Sequence, residues 1–335
     1  MKKVIVIIAG GDSSEHDVSM RSAAGIHGWL DQSKYDAYIV EMTHDKWIVK
    51  TDDGACPEVD RHDFSFEVNC RRIVPDYAYI TIHGTPGEDG ILQGYLDLMH
   101  IPYSTSDVLV EAMTFNKFVL NQYLKGFGVK VADSLLIRRG QECSSEDVVS
   151  RLGLPCFVKP NGGGSSFGVT RCKSLDEIGP AIDKAFCEWD EVVIESELKG
   201  TEISNGVYRS GDGVRVLPIT EVVSDNEFFD YDAKYNGQVE EITPARLSDD
   251  TTRRVQAVTK EIYGILGAKG IIRIDYIITK RKKDDGSITD VINLLEINTT
   301  PGMTPTSFIP QQVRAAGLEM QDVLDDVIME TGRIF

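Results

Sequence analysis

The sequence lacks an excess of basic residues, a long apolar run and any clustered pair of cysteines. Its 35 lysine and arginine residues are outnumbered by 53 aspartate and glutamate residues, giving a formal net charge of −18. This balance argues against a nucleic acid or an anionic membrane as the main partner. No stretch reaches membrane-spanning length. The six cysteines form no Cys-x-x-Cys pair, which indicates reduced thiols in a cytoplasmic protein.

The chain instead contains the strand and helix patterns of a layered α/β protein. Its 335 residues, 41% of them hydrophobic, are enough for two or three domains. Residues 4–9 form a short apolar run that a glycine turn follows at once, which favours a buried parallel strand over a signal peptide. Later patterns predict one helix over residues 107–124 and one strand over residues 130–138.

Two strands near the C terminus carry a set of oxygen ligands. Side chains on a strand alternate between faces, so Arg273 shares a face with Asp275, and Glu296 shares one with Asn298. If residues 280–289 connect the strands as a hairpin, Asp275 comes opposite Glu296 and Asn298. Carboxylate and amide oxygens without His or Cys suit Mg²⁺. The alternative is a surface hairpin with solvated charges.

A loop rich in glycine and serine, residues 160–168, follows a strand that ends in Lys159. Successive backbone N–H groups in such a loop can cradle phosphates, and the lysine adds a positive charge. The loop lacks the Gly-Lys-Ser/Thr ending of a P-loop, and the first turn, residues 10–17, is no Gly-x-Gly-x-x-Gly fingerprint. The glycine-rich loop of protein kinases is a nearer analogy. A flexible linker is the alternative.

Three further polar residues are candidates for ligand contacts. Glu15 follows the first strand, where ligands of open α/β sheets bind, although a carboxylate that interacts with a helix dipole fits equally well. His83 ends a strand ahead of a glycine-rich turn, and a residue that caps the strand is its alternative. Lys117, considered alone, is typical of a solvated surface charge.

Two more stretches have patterns of this kind. Glu195 and Glu197 share one face of a strand over residues 191–198, a type of crossing segment against which a purine often packs. Residues 224–237 are too charged for a core and too aromatic for a plain linker, which is typical of a lid.

Six motifs, in this order along the chain, resemble those of the D-alanine:D-alanine ligases of the ATP-grasp superfamily. They are Ala9-Gly-Gly-Asp-Ser-Ser-Glu-His-Asp-Val-Ser19, Ile82-His-Gly-Thr-Pro-Gly-Glu-Asp-Gly-Ile-Leu-Gln-Gly94, Val158-Lys-Pro-Asn-Gly-Gly-Gly-Ser-Ser-Phe-Gly168, Phe229-Asp-Tyr-Asp-Ala-Lys-Tyr235, Arg273-Ile-Asp275 and Leu295-Glu-Ile-Asn-Thr-Thr-Pro-Gly-Met303. The resemblance extends from about residue 4 to residue 327.

The resemblance implies an α/β (α+β) ATP-grasp fold. A Rossmann-like parallel-sheet domain is expected over residues 1–105, and two α+β domains that clasp ATP over residues 106–192 and 193–335. The last would carry the metal site and a mobile loop over residues 224–240. The implied activity is ATP-dependent formation of D-alanyl-D-alanine through an acyl phosphate, for peptidoglycan. Two Mg²⁺ ions, replaceable by Mn²⁺, a homodimer and a cytoplasmic location are expected as well.

The resemblance also implies roles for individual residues. The metal ligands would be Asp275, Glu296 and Asn298. The ATP contacts would be Lys117, Lys159, Ser166, Glu195, Glu197, Leu198, Glu202 and Lys234. Glu15 would hold the ammonium of the first D-alanine, and His83 would lie near its carboxylate. Ser165 and Tyr235 would complete a hydrogen-bonded triad with Glu15. Arg273 and the N–H of Gly302 would stabilise the oxyanion, and Ser307 and Phe308 would hold the second D-alanine's carboxylate.

Two departures from the family's pattern leave alternatives open. Phe308 replaces a leucine that many members have beside the second subsite, which allows a ligase that accepts D-serine or D-lactate. Glycines replace more usual charged residues around positions 161–164, where we expect an effect on loop flexibility only. Another ATP-grasp carboxylate–amine ligase would share the ATP half of the site. A nucleotide-binding regulatory protein would bind ATP without turnover.

Overall fold

The structure is a computed structural model that describes residues 2–51, 53–164, 167–224 and 239–332. Four predicted site residues therefore lie outside the described residues, as does most of the predicted loop 224–240; they are Ser165, Ser166, Lys234 and Tyr235. In the described part, no helix is both long and apolar enough to cross a membrane.

The N-terminal part is a four-stranded sheet in the order β3-β2-β1-β6. Its elements are β1 (Lys3–Gly10), α1 (His16–Trp29), β2 (Tyr35–Met42), β3 (Trp47–Lys50), β6 (Tyr77–Ile80) and α2 (Ile91–Leu98), with a small hairpin of β4 (Phe66–Val68) and β5 (Arg71–Ile73). Strand β1 is parallel to β2 and β6. Residues 5–9 are fully buried, as expected for a parallel strand that is covered on both faces.

A second four-stranded sheet, antiparallel throughout, has the order β10-β9-β11-β8. Before it come α3 (Val108–Phe115), α4 (Lys117–Gly126) and the short strand β7 (Lys130–Val131). Its own elements are β8 (Ser134–Arg138), α5 (Ser145–Leu152), β9 (Cys156–Pro160), β10 (Thr170–Cys172), a 3₁₀ turn (Leu175–Glu177), α6 (Ile178–Phe186) and β11 (Glu191–Ser196).

The third sheet has six strands in the order β14-β13-β12-β15-β16-β7. Its elements are β12 (Thr201–Ser210), β13 (Gly213–Ser224), β14 (Val239–Ile242), α7 (Asp249–Leu266), β15 (Ile272–Lys282), β16 (Ile288–Asn298), α8 (Phe308–Ala315) and α9 (Met320–Thr331). Strands β15 and β16 pair antiparallel with Asp275 opposite Glu296 and Arg273 opposite Asn298. The predicted hairpin is therefore confirmed.

Two predicted elements are wrong because each is divided in the structure. Asn116 has an extended backbone that separates α3 from α4, and its side chain caps α4 by accepting from the N–H of Val119. The predicted strand 130–138 contributes β7 to the third sheet and β8 to the second. Strand β11 crosses the domain boundary placed at 192 and belongs wholly to the second sheet; the three-domain division stays a prediction.

The chain crosses between the second and third sheets at two adjacent places, one between β7 and β8 and the other between β11 and β12. Asp133 in the first crossing and Ser196 in the second bind each other. The N–H of Ser196 donates to the Asp133 carbonyl at 2.9 Å, and the Asp133 N–H donates to Ser196 Oγ at 3.2 Å. The two crossings therefore lie side by side.

The N-terminal sheet packs on the C-terminal helices through one shared core. That core joins Ile5, Ile7 and Tyr77 with Met303 and Val327. Helix α1 approaches closely, since a Cβ on Gly25 would lie 2.6 Å from the carbonyl oxygen of Met303. This packing places the C-terminal end of β1 beside the segment that follows β16.

Candidate active site

A cavity of about 2030 Å³ opens where the three sheets meet. All of the predicted site residues that the structure describes line it: Glu15, His83, Lys117, Lys159, Glu195, Glu197, Leu198, Glu202, Arg273, Asp275, Glu296, Asn298, Gly302, Ser307 and Phe308. Residues that are up to almost 300 positions apart in the chain are thereby brought together. Their individual roles stay predictions.

Asp275 is the centre of the hydrogen-bond network at the β15–β16 hairpin. It accepts from Ser204 Oγ at 2.6 Å, from Arg273 Nη2 at 2.8 Å and from Asn298 Nδ2 at 3.1 Å. The pairing shifts by one residue just after Asp275, so Leu295 on β16 has no directly opposite partner. Such a bulge re-aims side chains, and here Glu296 and Asn298 remain on the face of Asp275.

The donor set on this face fits a hard divalent cation. Within residues 2–51, 53–164, 167–224 and 239–332, no group of three or more His, Cys, Asp or Glu side chains is placed to hold a metal. The predicted set has only two carboxylates, Asp275 and Glu296, plus the Asn298 amide. Mg²⁺ typically takes one or two carboxylates and fills its shell with water and phosphate oxygens. The ligand chemistry therefore matches Mg²⁺.

The two predicted phosphate lysines are held inside the cavity. Lys159 Nζ lies 2.7 Å from Glu195 Oε2, and Asn121 Nδ2 donates to the other oxygen of Glu195 at 2.8 Å. Burial disfavours the charge of Lys159, but the attraction of Glu195 prevails and raises the pKa of the lysine. Lys117 Nζ donates to the Gly163 carbonyl at 2.6 Å, and burial lowers its pKa. The interpretation of Lys117 as a solvated surface charge is wrong.

The start of the glycine-rich loop is packed against an aromatic side chain. A Cβ on Gly162 would lie 2.5 Å from the Trp189 ring, so no other residue fits there without movement. The Trp189 ring in turn packs edge-on against Phe115, with centroids 5.7 Å apart. The expectation that the glycines around 162 serve only flexibility is wrong at this position, because Gly162 permits a close approach.

Residues of the N-terminal sheet close the other side of the cavity. Glu15 makes no capping hydrogen bond with α1, and its Oε2 lies 3.8 Å from where a Cβ of Gly164 would stand. The side chain thus points across the cavity to the glycine-rich loop. Glu15 also stands at the N-terminal end of α1, so an interaction with the helix dipole remains the alternative. His83 is buried, and its Nε2 has no hydrogen-bond partner among the described residues. A buried polar atom of this kind suits a ligand.

The turn after His83 carries Glu88, which sequence reasoning missed. Its two oxygens accept from the N–H groups of Gly84 at 2.8 Å and Thr300 at 3.3 Å. Burial raises the pKa of this carboxyl, against the opposing effect of His83. The signal available in the sequence was an acidic residue inside a glycine-rich turn, but its partner Thr300 is more than 200 residues away.

Arg273 and the start of α8 form the far end of the cavity. The Arg273 guanidinium lies 5.3 Å from the centroid of the Phe308 ring. Burial lowers the pKa of Arg273, but Asp275 outweighs it and raises the pKa above its ordinary value. Ser307 precedes the first turn of α8, and a Cβ on Gly302 would lie 2.9 Å from Ser307 Oγ. A helix start beside an arginine is suited to bind a carboxylate.

Comparison with known proteins connects this geometry to one family. Residues 4–106 match the family described as D-ala D-ala ligase N-terminus, and residues 123–329 match D-ala D-ala ligase C-terminus. A D-alanine--D-alanine ligase of Phocaeicola vulgatus is 61% identical over 328 residues, which cover 98% of this chain and 99% of that protein.

Solved structures agree in fold. The VanG D-Ala:D-Ser ligase from Enterococcus faecalis has a TM-score of 0.84 at 29% identity, covering 98% of this chain and 99% of that one. A D-alanine--D-alanine ligase from Bacillus anthracis, solved in complex with ATP, has a TM-score of 0.75 at 28% identity, covering 98% of this chain and 97% of that one. The sheets described above are thus arranged as in these ligases.

Proposed function

This chain belongs to the D-alanine--D-alanine ligase family, and from that premise we propose how its residues carry out the ATP-dependent joining of two D-alanine molecules. The reaction class is a ligation that consumes ATP and supplies a dipeptide for peptidoglycan precursors. The observation that carries the residue assignment is the single cavity lined by side chains from all three sheets.

The first step is phosphoryl transfer to the carboxylate of the first D-alanine. A carboxylate oxygen attacks the γ-phosphorus of ATP, the bond to the β,γ-bridging oxygen breaks, and ADP leaves an acyl phosphate behind. Such transfer needs positioning and charge neutralisation more than covalent chemistry. In this proposal Lys117 and Lys159 supply positive charge at the phosphates. Four other residues that line the cavity are assigned to the nucleoside, namely Glu195, Glu197, Leu198 and Glu202.

Asp275, Glu296 and Asn298 are the residues that would hold Mg²⁺, which supplies charge neutralisation at the phosphate oxygens when bound. The mixed set of two carboxylates and one amide supports this assignment. Two ions, with Mn²⁺ able to substitute, are the finer form of the proposal.

The second step is attack by the amino group of the second D-alanine on the acyl carbon. The new C–N bond forms, the C–O bond to phosphate breaks, and the amine proton leaves with the phosphate. Arg273 and the N–H of Gly302 are the donors for the tetrahedral oxyanion. Loss of one such donor typically costs about 10²–10³ in rate. Glu15 and His83 hold the ammonium and carboxylate ends of the first substrate.

We also propose that the protein acts as a homodimer in the cytoplasm. Three apolar side chains on α2 and α3 are strongly exposed, namely Ile91 at 61%, Leu98 at 76% and Leu109 at 69%. The two helices pack together, since a Cβ on Gly94 would lie 3.7 Å from Val108. Exposed apolar surface on neighbouring elements is typical of a protein interface, and a second copy is the partner that the family favours.

D-Serine and D-lactate are alternative second substrates, because Phe308 departs from the family's usual leucine. The 61% identity to a protein named D-alanine--D-alanine ligase supports D-alanine as the second substrate. Incubation with ATP, Mg²⁺ and D-alanine, with D-serine and D-lactate as competing acceptors, tests this. Mass spectrometry should identify D-alanyl-D-alanine as the product. Phosphate release, followed in parallel, should amount to one phosphate per dipeptide. A mixed product would make Phe308 a specificity residue, and ATP binding without any dipeptide would contradict the assignment.

A further inference from the structure

The glycine-rich loop is fixed near its start by a side chain that the mechanism above does not use. Asn161 follows β9 directly and is fully buried, at 0% exposure. Its N–H donates to the carbonyl of Glu191 at 2.9 Å, and its own carbonyl accepts from the N–H of Lys117 at 3.0 Å. The backbone of Asn161 therefore connects β11 with the first residue of α4.

The side chain of Asn161 repeats this connection. Oδ1 accepts from the N–H of Phe118 at 2.9 Å. Nδ2 donates to Asn116 Oδ1 at 3.0 Å and to Glu191 Oε2 at 2.8 Å. Both N–H bonds of the amide and its oxygen have partners, so the orientation of the side chain is fully specified.

These bonds occupy the start of α4. The first N–H groups of a helix have no partner within the helix and often bind an anion. Here the N–H groups of Lys117 and Phe118 bind Asn161, and the N–H of Val119 binds the Asn116 side chain. A phosphate near α4 would thus be met by the Lys117 side chain and not by the helix end.

The second predicted phosphate lysine, Lys159, lies close to Asn161. Lys159 Nζ binds Glu195 and Asn161 Nδ2 binds Glu191, and these two carboxylates, four residues apart on β11, lie on one face of that strand. On the other side of Asn161, Gly162 packs against Trp189, whose ring contacts Phe115 just before α4. Any displacement of Asn161 would therefore change the spacing between Lys117 and Lys159.

We propose that Asn161 is the positioning residue that fixes Lys117 and Lys159 relative to each other, and that it thereby sets the affinity for the phosphate part of the nucleotide. The inference rests on the proposed phosphate roles of the two lysines. Asn161 itself touches no substrate in this scheme, since all of its polar groups bind protein.

The test compares ADP with adenosine, which lacks phosphates. In Asn161→Ala, calorimetry should show ADP binding weakened about tenfold, a change of about 1.4 kcal/mol, with adenosine binding unchanged within about twofold. Equal weakening of both ligands, or unchanged ADP binding, would overturn the proposal. If Asn161→Ala does not fold, Asn161→Ser keeps a polar atom at the site. This variant must weaken ADP binding by the same factor and leave adenosine binding unchanged.

Asn293→Ala is the matched control. Asn293 is also buried, its Nδ2 donates to the carbonyl of Ile277 at 3.0 Å on the same hairpin as the metal face, and it does not line the cavity. The variant should lose stability in urea to a similar degree without a change in ADP affinity. If Asn293→Ala weakens ADP binding as much as Asn161→Ala does, the effect of Asn161→Ala comes from general destabilisation and the proposal is wrong.

A double-mutant cycle separates this inference from the proposed function. Lys117→Ala alone should weaken ADP binding; if it does not, the phosphate role of the lysine is wrong. If it does, Asn161→Ala should have a smaller effect in the Lys117→Ala background than in the wild type. If Asn161→Ala weakens ADP binding by the same factor in both backgrounds, Asn161 does not act through Lys117 and the proposal is wrong.

Discussion

At the scale of single residues, one carboxyl buried behind the site has a pKa that burial raises. Glu111 on α3 is fully buried. Its Oε1 accepts from the N–H of Ser106 at 2.9 Å, and its Oε2 binds the Thr299 hydroxyl. Burial raises its pKa well above the ordinary value of 4.5. Because Thr299 follows the predicted ligand Asn298, this carboxyl supports the end of β16 from behind.

Glu111→Gln should make the protein more stable than the wild type at pH 8.5, with a smaller difference at pH 5.5. An acid whose pKa is raised by folding stabilises the fold below its unfolded pKa and loses that contribution as the pH rises through the folded pKa. Glutamine never ionises, yet it can accept from Ser106 and donate to Thr299. Each unit of pKa shift corresponds to about 1.4 kcal/mol.

Urea midpoints between pH 5.5 and pH 8.5 measure this difference. Glu67→Gln, at an exposed position of β4, controls for the removal of one negative charge. Parallel curves for the wild type and Glu111→Gln would show that burial does not raise this pKa.

At the scale of elements, the β15–β16 hairpin determines the metal site through its register. A slip by one residue would move Glu296 to the opposite face from Asp275. This part of the site could be predicted because strand alternation is a local property of the sequence. The position of Lys117 could not be predicted from the local pattern without the family resemblance, since it depends on a helix break at Asn116 and on a loop about 45 residues further along. Glu88 and Asn161 were missed for the same reason, because their partners are remote in the chain.

Glu296→Gln should lower turnover by about 100-fold or more and raise the Mg²⁺ concentration needed for half-maximal rate, because one of two ligand carboxylates is lost. Initial rates over a range of Mg²⁺ concentrations give both quantities. Lys280→Gln is the control, since Lys280 pairs with Asp290 at the far end of the same hairpin. A wild-type Mg²⁺ dependence in Glu296→Gln would remove this residue from the metal site.

At the scale of the whole molecule, three sheets enclose the cavity of the site. The local patterns predicted most strands and the glycine-rich loop. They did not predict that β7 and β8 lie in different sheets, because that division depends on pairing with β16 and β11. The packing of the N-terminal sheet on the C-terminal helices is likewise a tertiary contact that no local pattern encodes.

The double variant Leu98→Glu with Leu109→Glu should be a monomer if the exposed apolar face of α2 and α3 is the dimer interface, because two charges would have to be buried in it. Light scattering at micromolar concentration gives the mass. Ile288→Glu, at a side chain that is 70% exposed on β16, should keep the wild-type mass. A double variant that remains dimeric would place the interface elsewhere.

The two adjacent crossings at Asp133 and Ser196 have a mechanical consequence. A body joined to another along one edge moves most easily by rotation about that edge. We therefore expect the second sheet to rotate about these residues, together with the start of α4 that Asn161 binds. Points close to the axis travel little and points far from it travel far. Glu197 and Leu198 lie beside the axis, whereas Gly163 lies beyond the opposite end of β9. The base of the nucleotide can therefore stay docked while its phosphates are captured and released.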